Sequence, residues 1–495
     1  MVCLLLSLMN SDTFFQQIAN FGNNLLFFDV LFWTEKASMP FLIFWLLLAS
    51  VYFAIITKFF NFRKLPQAII LFLKSKSSVN KKDGTANSKS IVLSAIAGSA
   101  DLGSLFSVAG IVAIGGAGTL FWLLFAGLIS TSIRYAEVIC GHTFRKKVFK
   151  NGKSNGYTGG PQIYISKIFR LYKLPALGKI VASIYATMLF LSTFCSLQVN
   201  QSVHIFTHMF PRIQSFHWLI ALIVATIVIS TVVRGISRVA SFNQKVVPTM
   251  IVLYLLITIA ILMKHHENIL PSIALIFEDA FSFRAVNGGI LGAMVLGVQR
   301  AFFCNESGMG SGAIIHANSS NKDTKKEAII SMITPIVSVI IICFCSGFIA
   351  LISQSYTQGS SGIDYVINAF SSVHPMLKYA TLVIVPLFGI STAVSWAYYG
   401  SRQFASLFGK NKVAIYYILL FIAYFLCGIA ENFSTLLDVA DFLNLSITIP
   451  NVIALVMMSK VIIRTTNERN NIQRQKTTTD KQKIRSIVSK VFQHK

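Results

Sequence analysis

The chain predicts an all-α polytopic membrane protein, with about eleven transmembrane helices in an inverted five-plus-five repeat. Three observations predict this. Apolar windows of membrane-crossing length recur along the sequence. Lys and Arg crowd into alternate loops. Two of the windows, five apart and opposite in direction, are interrupted by glycines and by charged or polar residues.

Composition sets the class. Of 495 residues, 54% are hydrophobic and 12% charged, with a mean hydropathy of +0.66; a soluble domain carries about 25% charged residues. Windows of roughly 17–25 residues fall at about 40–57, 91–112, 118–140, 178–205, 216–233, 246–263, 287–316, 327–353, 378–400, 412–430 and 437–459. We number these spans 1 to 11.

Of the 43 Lys and Arg, 36 lie in the loops 58–89, 145–179, 234–245, 322–326 and 402–412 and in the tail from 460. The opposite loops hold five: Lys36, Arg212, Lys264, Arg284 and Lys378. Arg134 and Arg300 lie within spans. Cytoplasmic loops carry the positive excess, so the N-terminus reads as outside and the C-terminus as cytoplasmic. The net charge of +25 is thereby absorbed by orientation and contact with the lipid surface. No basic patch interleaved with aromatics is present, which excludes nucleic acid as a partner. Residues 1–39 read as an extracytoplasmic segment, 40–463 as the bundle and 464–495 as a basic cytoplasmic tail, mobile with at most a short helix. The repeats span about 91–263 and 287–459. The start, MVCLLLSLMN, has no basic n-region or small-residue cleavage pattern, so it reads as an interfacial or peripheral helix.

The seven cysteines match no metal or disulfide framework and read as small buried hydrophobes. No P-loop, nucleophile elbow, zinc spacing or redox pair occurs, so neither an enzyme nor a cofactor is expected. Work must be drawn from an ion gradient.

The two interrupted spans carry the chemistry. Span 7 reads FFCNESGMGSG over 302–312, with Asn305, Glu306, Gly308 and Gly310 at one depth. Glycine weakens a helix by about 1 kcal/mol, and a charge at mid-membrane costs roughly 2.5–3.5 kcal/mol. A chain that places both together breaks its helix around a ligand or a wet cavity. Span 2 repeats the pattern in SAIAGSADLGSLFSVAG, with Gly98, Asp101, Gly103 and Ser104. Half-helix N-termini suit a carboxylate, and unwound carbonyls suit a small cation. A zwitterionic amino acid with a coupled cation satisfies both, which points to a secondary transporter.

Asp101 reads either as a partner for a cation, a substrate ammonium or a proton, or as a hydrogen-bonded brace of the break. Glu306 has the same two readings, with bracing or gating favoured by its neighbour Asn305. Gln198 in span 4 either lines the cavity or bonds across helices. In span 9, Thr392 and Trp396 are four apart and share a face. Ser391, Thr392 and Ser395 offer hydroxyls to a hard cation or back-bond to their own helix. Trp396 closes over a ligand or anchors at the interface, and its depth favours the cavity. Arg134 and Glu137, three apart at the cytoplasmic end of span 3, read as an intrahelical pair rather than a site.

Several ordered motifs resemble the alanine or glycine:cation symporter family, the sodium/alanine symporters of prokaryotes. FFCNESGMGSG resembles that family's F-S-N-E-A-G-M-G-S signature. GGAGTLFWLL, RYAEV, the GGP of Gly159–Pro161 with Tyr164, the S-T-x3-W of Ser391–Trp396 and ADFLNLSITIPN resemble further motifs, covering about residues 40–465. The resemblance implies a LeuT-like bundle and import of alanine or glycine with sodium. It implies substrate contacts at Asp101, Gln198, Phe303, Thr392 and Trp396. It implies sodium ligands from the backbone of Ala97 and Gly98 with Ser391 or Ser395. Asn305, Glu306, Gly308 and Gly310 take structural or gating roles, and the place is the cell (inner) membrane. The chain departs from the family at the site: the usual G-T-G-N-I-x-G is here GSADLGS, so Asp101 stands for Asn. Asp101 leaves a proton-coupled symporter open as an alternative. The departures also leave open a transport-deficient receptor of the same fold.

Overall fold

The computed structural model describes residues 28–30, 39–80, 83–150, 153–282, 289–357, 362–430 and 434–468. Most of the expected N-terminal segment and tail lies outside these residues. Helix α1 (Phe41–Ile56) begins after Pro40. It turns by 84° into α2 (Phe60–Lys74), through Lys58 and Phe59 with positive φ. The sequence reading treated 58–89 as a loop. Yet FNFRKLPQAIILFLK exposes Phe62, Ile69, Ile70 and Leu73 beside Arg63, Lys64 and Lys74, the pattern of a helix lying in a membrane interface.

The expected first repeat opens with α3 (Ser88–Ser99) and α4 (Leu102–Gly115), bent by 49° about Ala100–Asp101. It continues through α5 (Thr119–Thr143), α6 (Pro161–Leu171), α7 (Pro175–Ser192), α8 (Leu197–Met209), α9 (His217–Val232) and α10 (Ile236–Lys264). Prolines open α6 and α7 at the first turn, where the missing N–H costs nothing. After α11 (Ile269–Ala280), the expected second repeat opens with α12 (Gly289–Asn305) and the short α13 (Ser311–His316). The helical span α14 (Thr324–Ile352) carries a π-helical stretch, Ile336–Cys343, directly after Pro335. The rest is α15 (Asp364–Ser371), α16 (Thr381–Phe408), α17 (Val413–Ile429), α18 (Ser434–Ser446), α19 (Thr448–Met457) and α20 (Ser459–Asn467). Two short antiparallel ladders, β1 (Val79–Asn80) with β2 (Thr85–Ala86) and β3 (Lys146–Lys150) with β4 (Lys153–Thr158), sit in the basic loops.

Among the described residues, eight helices are long and apolar enough to cross a membrane, or up to ten if each bent pair is one span. That is fewer than the eleven expected. A chain that spends apolar residues on short half-helices leaves fewer long ones to count. The helices of the broken spans lie inside the bundle: α12 packs along α5, while α3 packs on α10 and α16.

Candidate functional site

Each break leaves orphan backbone groups, and their partners define the site. At the first break the last carbonyls of α3 face α16. The Thr392 hydroxyl donates to Ala97 O at 2.8 Å and lies 3.3 Å from Ala100 O, and Trp396 Nε1 donates to Gly98 O at 3.2 Å. One turn away, Ser395 Oγ donates to Ser94 O at 3.1 Å and accepts from Asn243 Nδ2 at 3.0 Å. This is a buried cluster of carbonyl and hydroxyl oxygens, the donor set a hard monovalent cation takes. The opposite end of the break belongs to Asp101. It caps α4, accepting from Ser104 N and Ser104 Oγ, each at 2.7 Å.

The second break is closed by side chains from four other helices. Glu137 Oε1 accepts from Gly308 N at 2.8 Å, Gly310 N at 2.9 Å and Asn451 Nδ2 at 3.1 Å. Asn451 Nδ2 also donates to Gly308 O at 2.7 Å, and Tyr164 donates to Asn451 Oδ1. The Tyr185 hydroxyl donates to Met309 O at 2.7 Å. Arg134 donates to Asn305 O and sits 3.4 Å from Glu137 Oε2. Asn305 donates to Ser130 Oγ at 2.7 Å and accepts from Ser307 N at 2.7 Å. Gly308 and Gly310 have φ of +97° and +85°; a Cβ on Gly310 would stand 2.2 Å from Pro161 Cγ. Glycine is therefore required there by both conformation and space.

A cavity of about 90 Å³ lies between the breaks. One water needs roughly 10–15 Å³ and drug-sized ligands about 300–1,000 Å³, so the space suits a small solute. Asp101, Gln198, Phe303, Glu306 and Trp396 line it, with Thr193 and Ser196 from a third interruption between α7 and α8. Four of the five expected substrate residues are thus brought together, and Gly98 joins them. Thr392 is not among the lining residues: it is fully buried on the carbonyls of α3 and groups with the residues expected to hold the cation instead. Ser391 turns to Phe388 O at 3.0 Å, away from α3. Glu306 Oε2 accepts from Ser311 Oγ at 2.6 Å, and Glu306 lines the cavity. Glu306, for which bracing or gating was favoured, bonds across the break to Ser311, and Glu137 adds bonds to the N–H groups of Gly308 and Gly310. Its pairing with Arg134 was expected, but its span-to-span contacts were not. The interruption at 193–196 was missed, since no Gly or Pro marks it; the hydroxyl-rich STFCS, with Ser196 capping Val199 N at 3.3 Å, is its only signal. Asn200, crowded beside Gln198 in sequence, instead ties α8 to Cys427 O and Ala430 O.

A model described as the sodium:alanine symporter family matches residues 26–484. The chain belongs to that family. It is 26% identical over 451 residues to the sodium/alanine symporter AgcS of Methanococcus maripaludis, covering 88% of this chain and 95% of that one. It is 26% identical over 420 residues to the probable sodium/glutamine symporter GlnT of Bacillus subtilis, covering 84% and 85%. An uncharacterized transporter of Haemophilus influenzae is 28% identical over 430 residues, covering 85% and 91%. Among solved structures, MhsT in complex with L-phenylalanine superposes with a TM-score of 0.56 at 15% identity, covering 82% of this chain and 96% of that one. That likeness shows the LeuT-like fold. The protein is accordingly a multi-pass membrane transporter.

A second buried network lies where the basic loops gather. Glu327, fully buried, accepts from Ser88 Oγ at 2.5 Å, Ser319 Oγ at 2.8 Å and Asn321 Nδ2 at 3.3 Å, and meets His316 Nδ1 at 2.7 Å. It ties the first turn of α3 to the end of α13. Glu327→Ala leaves these groups unpaired, at about 1–3 kcal/mol each. The thermal midpoint should fall by at least about 2–4 °C, while Glu327→Gln should keep most of it. Equal melting of Glu327→Ala and the wild type would show that the tie contributes nothing.

Proposed function

We propose that the protein is a secondary active symporter that imports a small neutral amino acid, alanine or glycine, with sodium by alternating access. It would lie in the cell (inner) membrane with its N-terminus outside and its C-terminus cytoplasmic, as the loop charges imply. The observation that carries the reading is the juxtaposition at the first break: a small cavity lies on one side and the oxygens of Ala97, Thr392 and Ser395 on the other. An ion there and a solute in the cavity would share α3 and α16, so each would stabilise the same arrangement of the two helices. Such shared stabilisation is what couples two ligands. A sodium moving through 100 mV supplies about 2.3 kcal/mol. Family membership supports the reading, as do relatives named for alanine and for glutamine.

Asp101 at the cavity favours a second reading, coupling to protons. Uptake of labelled alanine and glycine into proteoliposomes, with sodium and proton gradients imposed separately, tests both. Accumulation should follow the sodium gradient. Accumulation with the proton gradient alone would favour the second reading. Binding without accumulation under either gradient would point to a receptor and end both.

A further inference from the structure

Three cations gather where α10 begins. Arg234 precedes the helix, Arg238 lies in its first turn, and Lys245 follows on the face of Arg238; all three are exposed. Among the described residues none of them closes an ion pair or lies over an aromatic ring. With Val79 of β1 they line an open hollow of about 690 Å³, and no acidic residue is in its wall. Ligand sites run to about 300–1,000 Å³. Ser237 and Ser241 share that wall. Thr249, further along α10, spends its hydroxyl on Lys245 O, whereas the hydroxyls of Ser237 and Ser241 make no hydrogen bond among the described residues. Two guanidiniums, an ammonium and two free hydroxyls are the donor set of a phosphate, whose oxygens an arginine fork meets two at a time.

The hollow runs on into an apolar stripe. Arg238, Lys245, Val252, Leu256, Ile259 and Met263 recur at helical spacing along one face of α10, and all are exposed. The bundle buries 28% of the apolar window of this helix, the lowest share among the eight long spans. Lys245 to Met263 is about 27 Å of helix, close to the roughly 30 Å of a hydrocarbon core. One face of α10 thus presents hydrocarbon contact at acyl depth and cations at headgroup depth. A soluble anion would use only the cations. A zwitterionic lipid would leave them uncompensated.

We propose that the hollow at the start of α10 is a binding site for one anionic phospholipid, its phosphate held by Arg234, Arg238 and Lys245 and its acyl chains laid along the exposed stripe. The site is separate from the cavity between the breaks, and the proposal stands whether or not the symporter reading does. It has a structural consequence. On the inner side of the same turns, Asn243 Nδ2 donates to Ser395 Oγ at 3.0 Å, and Gln244 Oε1 accepts from Ser90 Oγ at 2.9 Å. A lipid bound outside steadies the turns that hold α10 to α3 and α16, so binding raises the stability of the bundle.

The test titrates the purified full-length chain in detergent with phosphatidylglycerol, with phosphatidylcholine of the same acyl chains and with inorganic phosphate. Thermal midpoint and lipid retained in native mass spectra are the readouts. Phosphatidylglycerol should raise the midpoint and stay bound at one copy per chain, while phosphatidylcholine and phosphate do neither. Arg234→Gln/Arg238→Gln should weaken phosphatidylglycerol binding at least about tenfold. Lys245→Gln alone, a milder change on the same face, should weaken it about threefold. Lys410→Gln/Lys412→Gln removes as much charge from another exposed basic turn and should leave binding within about twofold. Equal losses in the two double variants would reduce the effect to general attraction of anionic lipid by a basic surface and overturn the site. Equal binding of the two lipids would overturn the role of the cations. A shift with inorganic phosphate as large as with phosphatidylglycerol would make this a site for a soluble anion and overturn the lipid assignment.

Discussion

Glu137→Ala is expected to abolish transport and to prevent recovery of a monodisperse protein. The carboxylate takes two backbone N–H groups of the second break, from Gly308 and Gly310, together with the amide of Asn451, and it faces the Arg134 guanidinium. All lie in the core, and Arg134 and Glu137 are 1% and 0% exposed. Each donor left unpaired costs about 1–3 kcal/mol, and a buried charge stripped of its partner about 3–5 kcal/mol. Domains hold about 5–15 kcal/mol in total, so the loss is of the order of the whole. Glu137→Gln keeps an acceptor for the N–H groups and loses only the charge opposite Arg134. It should fold, with reduced thermal stability and slowed uptake. Fluorescence-detected size exclusion and proteoliposome uptake read the two variants. A folded, active Glu137→Ala would mean the break is held by other contacts.

Thr392→Val is expected to have the second largest effect, on ion dependence rather than on folding. Valine keeps the shape and removes the hydroxyl that meets Ala97 O at 2.8 Å and Ala100 O at 3.3 Å. If the oxygens of α3 and α16 hold the coupling ion, losing one ligand should raise the sodium concentration for half-maximal uptake by about tenfold or more, which equals about 1.4 kcal/mol. Maximal uptake at saturating sodium should change far less. Ser391→Ala is the control, because Ser391 turns to Phe388 O and Met250. An unshifted sodium dependence in Thr392→Val would remove this cluster as the ion site.

Much of the arrangement was legible because membranes make sequence patterns strict. Gly308, Gly310 and Glu306 cannot share one depth in an unbroken helix, so NESGMG announced its break. GSADLGS announced the other, and the loop charges predict opposite directions for the two. Asp101, Gln198, Phe303 and Trp396 followed from their depth and from family motifs, and the structure brings all four to one cavity. The partners of the breaks were not legible. Glu137 looked like half of an i,i+3 pair because that spacing is local, whereas its bonds to Gly308 and Asn451 join residues 171 and 314 positions away. The division of labour among Ser391, Thr392 and Ser395 also escaped the sequence. A rotation of about 100° per residue along one helix sends each hydroxyl to a different neighbour, and only packing says which neighbour is α3.

Composition and motif order by themselves determined the class of this protein and marked two of the three places around the site where its helices open. These follow from hydropathy and backbone rules that act locally. The tertiary structure alone decided which buried groups answer each opened helix end. Hydrogen-bond partners for orphan carbonyls and N–H groups must come from other helices, and no local rule names them. Hence Asp101 meets the N-terminus of α4, Thr392 meets the carbonyls of α3, and Glu137 meets the second break. Glu306 bonds to Ser311 across the second break and lines the cavity.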